Sequence, residues 1–298
     1  MELHVLSHRT TFCAAAALAC AFLFAWSACE ERIHIDTGTS APHLVVYGYI
    51  TTDTLRHTIR ITRSSDYFSS DKPEGISGAV VSIRHKEEVF PLRESELNPG
   101  LYQTEANVAG QVGETYTLHL ALDFDGDGQT EIFEAESVLP PASHLDSMTV
   151  VPSVFSEQFL EVQIWGRLPE QDENYFSFHL YRNGQLVNDS LRGFSINNDE
   201  FLNKKDITGL AVFYLNQNRE SNKLTSGDAL TFRIEGITHE YATFILNAQA
   251  ENRGSIPLFS APPANVGTNI RSLSPASGVR VSGFFTAFSQ NRISMIYP

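Results

Sequence analysis

The densest run of potential metal ligands lies between Asp123 and Glu134. Counting Asp123 as the first position, carboxylates occupy the first, third and fifth (Asp123, Asp125, Asp127). Gly128 is sixth, the Gln129 carbonyl seventh and Glu134 twelfth. A hard cation such as Ca2+ takes about six to eight oxygens, and short acids at alternate positions of a tight turn aim several of them inward. Gly126 and Gly128 permit the curvature. The spacing is that of an EF-hand loop, but the flanks read as strands, and Thr130 stands where an aliphatic residue is preferred. The expectation is a calcium site led by Asp123, Asp125 and Asp127, with the Gln129 carbonyl and Glu134 or Glu131 completing it. The competing reading is a solvated hairpin tip whose Asp and Gly residues merely suit a turn.

A second chemistry is covalent. Phe12 to Trp26 is almost wholly apolar and follows a polar start containing Arg9; Ser27-Ala28-Cys29 closes it, and Glu30-Glu31 follows. Small residues before a cysteine, at the end of an apolar stretch too short to span a bilayer comfortably, read as a lipoprotein signal. Residues 1–28 are then the signal peptide, and the Cys29 thiol carries lipid. The alternatives are an ordinary signal peptide or an uncleaved anchor. The chain has cysteines only at 13, 20 and 29. The mature form keeps one, so no disulfide can form within it. Two or more acyl chains, at about 0.8 kcal/mol per buried CH2, would hold the protein firmly on a membrane.

Other constellations fail on spacing. His239-Glu240-Tyr241-Ala242-Thr243 begins like a zinc-protease helix but has no second histidine one turn on. Gly75-Ile76-Ser77-Gly78 lacks the strand–turn–helix setting of a nucleophile elbow. The histidines are scattered, and no catalytic set emerges, so the chain is read as a non-enzyme. Trp165, Tyr175, Phe176, Phe178 and Tyr181 could present rings to a ligand. Alternation places Tyr175 and Tyr181 opposite Phe176 and Phe178, and core packing is the preferred reading.

The elements that must position these residues are strands. Net charge is −14, which disfavours nucleic acid and anionic lipid as partners. Glu30 to Pro42 has little periodicity, making residues 29–42 a flexible tether. Short β-branched and aromatic runs follow at 44–50, 58–62, 79–84, 88–92, 101–104, 116–122 and 132–138, with Asn98-Pro99-Gly100 expected as a turn. Pro140-Pro141 is the expected boundary between an immunoglobulin- or transthyretin-like β-sandwich over 43–141 and a β-rich domain over 142–298. In the second, Asn183-Gly184 signals a hairpin. Leu191 to Lys205 reads as a loop, Thr238 to Ala250 as the one short helix, and Val279 to Ile296 as one or two closing strands. The fold class is mainly β, with two sandwich-like domains.

Several of these stretches resemble a family described as domain of unknown function 4249. They include Leu44-Val45-Val46-Tyr47-Gly48-Tyr49-Ile50-Thr51, Asn98-Pro99-Gly100-Leu101-Tyr102, Gly227-Asp228-Ala229-Leu230-Thr231-Phe232, the run from Pro262 to Ile270, and Gly283-Phe284-Phe285-Thr286-Ala287-Phe288-Ser289. Their order and spacing carry the likeness across nearly the whole mature chain. The resemblance implies a Bacteroidetes outer-membrane lipoprotein, often encoded beside a TonB-dependent receptor and exposed on the cell surface. The function it suggests is an accessory partner in nutrient uptake; a structural or adhesive surface protein is the alternative. The Asp123–Gly128 run departs from the short hairpin turn that relatives tend to have.

Overall fold

A computed structural model describes residues 42–64, 72–171, 173–200, 205–220, 222–252, 266–274 and 277–298. The signal, Cys29 and nearly all of the tether lie outside them. The chain is mainly β. Alternation sets the first layers: in β1 (Leu44–Thr51), Leu44, Val46 and Ile50 are buried in the first core, while Tyr47, Tyr49 and Thr51 take the opposite face. β2 (Thr58–Arg63), β3 (Val80–His85), β4 (Glu88–Ser95), β5 (Asn98–Gln103), β6 (Thr115–Leu122) and β7 (Glu131–Val138) follow. β4 turns the corner, pairing with β3 through its first half and with β5 through its last residues. The two layers bury Ile59, Ile61, Ile83, Tyr102, Leu118, Leu120 and Phe133 between them.

Asn98-Pro99-Gly100 is not the turn. Ser95 pairs with Asn98, so Glu96-Leu97 makes the connection and the expected turn residues begin β5. Gly100 does adopt a positive φ of 75°, but for a packing reason. A Cβ there would stand 2.4 Å from the Ile61 carbonyl oxygen and 2.7 Å from Gly75 Cα.

The second half begins with β8 (His144–Pro152), β9 (Phe159–Arg167) and β10 (Tyr175–Arg182). Next come β11 (Gln185–Leu186), a 3-10 turn (Leu191–Gly193), β12 (Ser195–Asn198), β13 (Asp206–Asn216) and β14 (Ala229–Ile237). The hairpin between β10 and β11 is as expected, with Asn183 and Gly184 both at positive φ. The stretch read as a loop from Leu191 holds both the 3-10 turn and β12, which pairs with β10. β13, β9 and β8 form a separate three-stranded sheet. Its Val162 and Ile164 pack in the second core with Phe176, Phe178 and Leu180 of β10 and Leu230, Phe232 and Ile234 of β14.

Helix α1 (His239–Glu251) starts at Thr238, whose hydroxyl oxygen accepts from the Tyr241 amide. It covers the other face, with Tyr241, Ala242 and Ile245 buried beside Phe284 and Phe288. β15 (Arg271–Ser272) pairs with β7. β16 (Val281–Ile296) is one strand that joins the halves: Val281–Phe288 runs parallel to β1, and Ser289–Ile296 antiparallel to β14. Its entry is tight, since Gly283 has a φ of 102° and a Cβ would lie 1.9 Å from the Val46 carbonyl oxygen. On its free side, the Phe285 amide and carbonyl both bond the Asn269 side chain, and the Ala287 amide donates to Ser137 Oγ. Side chains thus stand in for a neighbouring strand and close the first stack.

Ala41–Pro298 is a single compact unit. Within it the two main cores lie on either side of Pro140-Pro141 in sequence except at the C-terminal end, where Ile270, Phe285 and Ala287 join the first.

His57 is fully buried, with Nε2 on the Val108 carbonyl. Burial holds its pKa below the ordinary 6.5, with the Val108 carbonyl and Asp53 opposing. Burial and the Arg84 charge lower His119 in the same way. A folded-state pKa below the unfolded one means the unfolded chain takes up its proton first as pH falls. Stability should therefore be full above about pH 6.5, decline below it, and level off past the folded-state values. Melting curves between about pH 7 and pH 5 should show the decline, and His57→Gln should flatten part of it.

Candidate functional site

The hairpin tip between β6 and β7 is fixed by Phe124. Its ring is buried in the first core under the Arg63 guanidinium, and its carbonyl accepts from Arg63 Nη2. Its amide donates to Glu131 Oε2 at 2.8 Å, and Glu131 is itself buried. Around this anchor the acids act first on their own backbone. Asp123 accepts from the amides of Gly126 and Gly128, Asp125 from that of Asp127, and Asp127 from the amide and side chain of Gln129.

Carboxylate oxygens of Asp123, Asp125 and Glu131 lie within 4.8 Å of one another. Glu134 is not among them: strand alternation turns it toward Arg84 and Arg271, at 3.9 and 3.5 Å. Asp127 and Gln129 bond each other at the exposed tip. A cation here would therefore meet Glu131 and not Glu134. Glu131→Ala strands the buried Phe124 amide and should cost about 1–3 kcal/mol in chelator-treated protein. A melting shift on adding millimolar calcium, lost in Asp125→Ala, would identify a metal; identical melts with and without calcium would leave only the turn.

A second constellation, absent from the sequence reading, lies on the face under α1. Four strands in the order β10, β14, β16, β1 present it. Where Phe176, Phe178 and Leu180 fill the core, the alternate positions Ser177 and His179 point the other way, at 0% and 2% exposure. Across the ladder stand Glu235 and Arg233. His179 Nε2 lies 3.0 Å from Glu235 Oε2, Ser177 Oγ 2.9 Å from the same nitrogen, and Arg233 Nη2 2.9 Å from Glu235 Oε1. Arg233 also sits over the Tyr181 ring, 5.2 Å from its centroid. Arg292, opposite Arg233 on β16, pairs with Asp53, so each arginine has its own carboxylate.

This is not a serine–histidine–acid relay. Such a relay needs the serine and the acid on opposite ring nitrogens, and here both meet Nε2. Because the Glu235 carboxylate can only accept, Nε2 donates to it. Nδ1 is buried without a partner, as is Arg233 Nε.

His179, Arg233 and Glu235 line a cavity of about 170 Å3. Tyr49 and Phe288 form one wall, their rings 5.3 Å apart, and Phe194 and Leu55 another part of the lining. Tyr47, 37% exposed, bonds Tyr241 hydroxyl to hydroxyl at 2.6 Å. Desolvation raises the pKa of both phenols, that of Tyr241 well above its usual value, so both are protonated at neutral pH. A larger cleft of about 410 Å3 opens near the start of α1, but Asn269 and Ser137 in its lining are already bonded to β16.

The face was half legible. Alternation put Tyr175 and Tyr181 opposite the core phenylalanines, as observed. The polar residues between them, Ser177 and His179, and Arg233-x-Glu235 on β14, were the unread signal. His239 stacks on Tyr175 at 4.8 Å, in keeping with a structural place for the His239-Glu240 pair.

The family model for the domain of unknown function DUF4249 matches residues 30–294. The chain belongs to this family. No curated protein matches it. Gly283, Asn269 and the β1 strand, all in stretches that carried the resemblance, are structural pieces of the β16 junction.

Proposed function

We propose that this DUF4249 protein is a lipid-anchored outer-membrane protein of the cell surface, and an accessory binding partner of a TonB-dependent nutrient transporter. The observation that carries the anchor is the Ser27-Ala28-Cys29 signal with Glu30-Glu31 after it. Among the described residues no helix is long and apolar enough to cross a membrane. Among the described residues, Ser177, His179 and Glu235 are buried together without the geometry of a relay, and the reading adopted is a binding role. The transporter rests on the family resemblance.

Two experiments test the reading. Cys29→Ala should move the protein from the membrane fraction to the soluble one; equal membrane retention of variant and wild type would remove the anchor. Tagged protein recovered by gentle solubilisation should bring a β-barrel transporter with it. Recovery without one, under conditions that express both, would favour the structural or adhesive reading instead.

A further inference from the structure

We propose that the cavity under α1 is a subsite for one neutral, hydroxylated ring: a pyranose, free or at the end of a glycan. Arg233 and Glu235 lie side by side in the lining, 2.9 Å apart. A ligand carboxylate or phosphate would meet Glu235, and a ligand ammonium would meet Arg233. With the two charges spent on each other, the cavity favours an uncharged occupant.

Hydrogen-bonding capacity narrows the class. His179 and Arg233 put a ring nitrogen and a guanidinium into a lining that also holds the Gln290 amide and the Thr51 hydroxyl. A hydroxyl group donates and accepts through one atom, and so suits a lining that mixes the Arg233 guanidinium, the Gln290 amide and the Thr51 hydroxyl with the Glu235 carboxylate. The rest of the lining is aromatic: Tyr47, Tyr49, Phe194, Tyr241 and Phe288. Aromatic faces bury C–H surface, which a pyranose carries between its hydroxyls. The volume of about 170 Å3 is below the about 300 Å3 at which drug-sized pockets begin. It is several times the about 30 Å3 share of one water. One ring fits those bounds.

The inference does not depend on a transporter partner, and its test is separate from that of the membrane anchor. The full chain is titrated with methyl glycosides of glucose, galactose, mannose and N-acetylglucosamine, and binding is read by calorimetry and by saturation transfer from protein to sugar. At least one should bind with a Kd at or below about 10 mM. Glucuronate and glucosamine of matching configuration should bind at least tenfold more weakly. Leu55→Trp, which fills the cavity from a partly exposed loop position, should weaken binding at least tenfold, with circular dichroism and melting unchanged. Tyr49→Ala provides the same readout should Leu55→Trp fail to fold. A matched disaccharide that binds as well as its terminal unit identifies a glycan end, and one that is excluded identifies the free sugar. Absence of binding by all four glycosides, equal binding by the charged analogues, or binding unaffected in a folded cavity variant would overturn the proposal and leave a pocket of ordered water.

Discussion

Continuous hydrogen bonding along β16 is the constraint on which the structure depends. One strand satisfies its backbone first against β1, in parallel, and then against β14, antiparallel. The parallel half is possible only because some 230 residues separate the two partners in sequence; a parallel pair cannot be closed by a short turn. Gly283 admits the strand against Val46, and Asn269 and Ser137 occupy the backbone groups that β1 leaves unpaired. Each of these is a satisfied polar group that would otherwise be buried and costly.

The same junction creates the face beneath α1. A sheet of four strands drawn from both ends of the chain has two sides, and each strand's alternation assigns its residues between them. The apolar sets from β10 and β14 fill the second core. The remaining side collects tyrosines from β1, phenylalanines from β16, His179 from β10 and the Arg233 and Glu235 charges from β14, under a helix whose Gln249 also holds the Leu191–Phe194 segment in place. Burying Arg233, Glu235 and His179 together costs desolvation, which their mutual bonds offset only while all three are present.

The hairpin at Asp123–Glu131 shows how a local pattern is remade by its scaffold. Helical flanks would bring the twelfth residue of such a run back to the loop. Strand flanks cannot, because alternation sends Glu134 and Glu136 toward Arg271. The residue that does return is Glu131, the first of β7, drawn in by the Phe124 amide.

What the sequence determined by itself is local. Period-two alternation fixed the mainly β class, most of the longer strand sites and the opposite faces of Tyr175 and Phe176. Thr238 and its apolar spacing fixed the one α-helix among the described residues, and Asn183-Gly184 its hairpin, because caps and turns are decided by a few neighbouring backbone angles. Even local signals could be displaced: Gly100 was readable as a residue with positive φ, but whether it made a turn or eased a strand past Ile61 depended on a segment some forty residues away. Only the tertiary structure decided that β16 would be one strand shared by both halves. It alone set His179 and Arg233 on adjacent strands, and brought Tyr47 within 2.6 Å of Tyr241 across 194 residues. Pairings at that separation leave no periodic trace, since strand partners are chosen by the whole sheet and not by either strand.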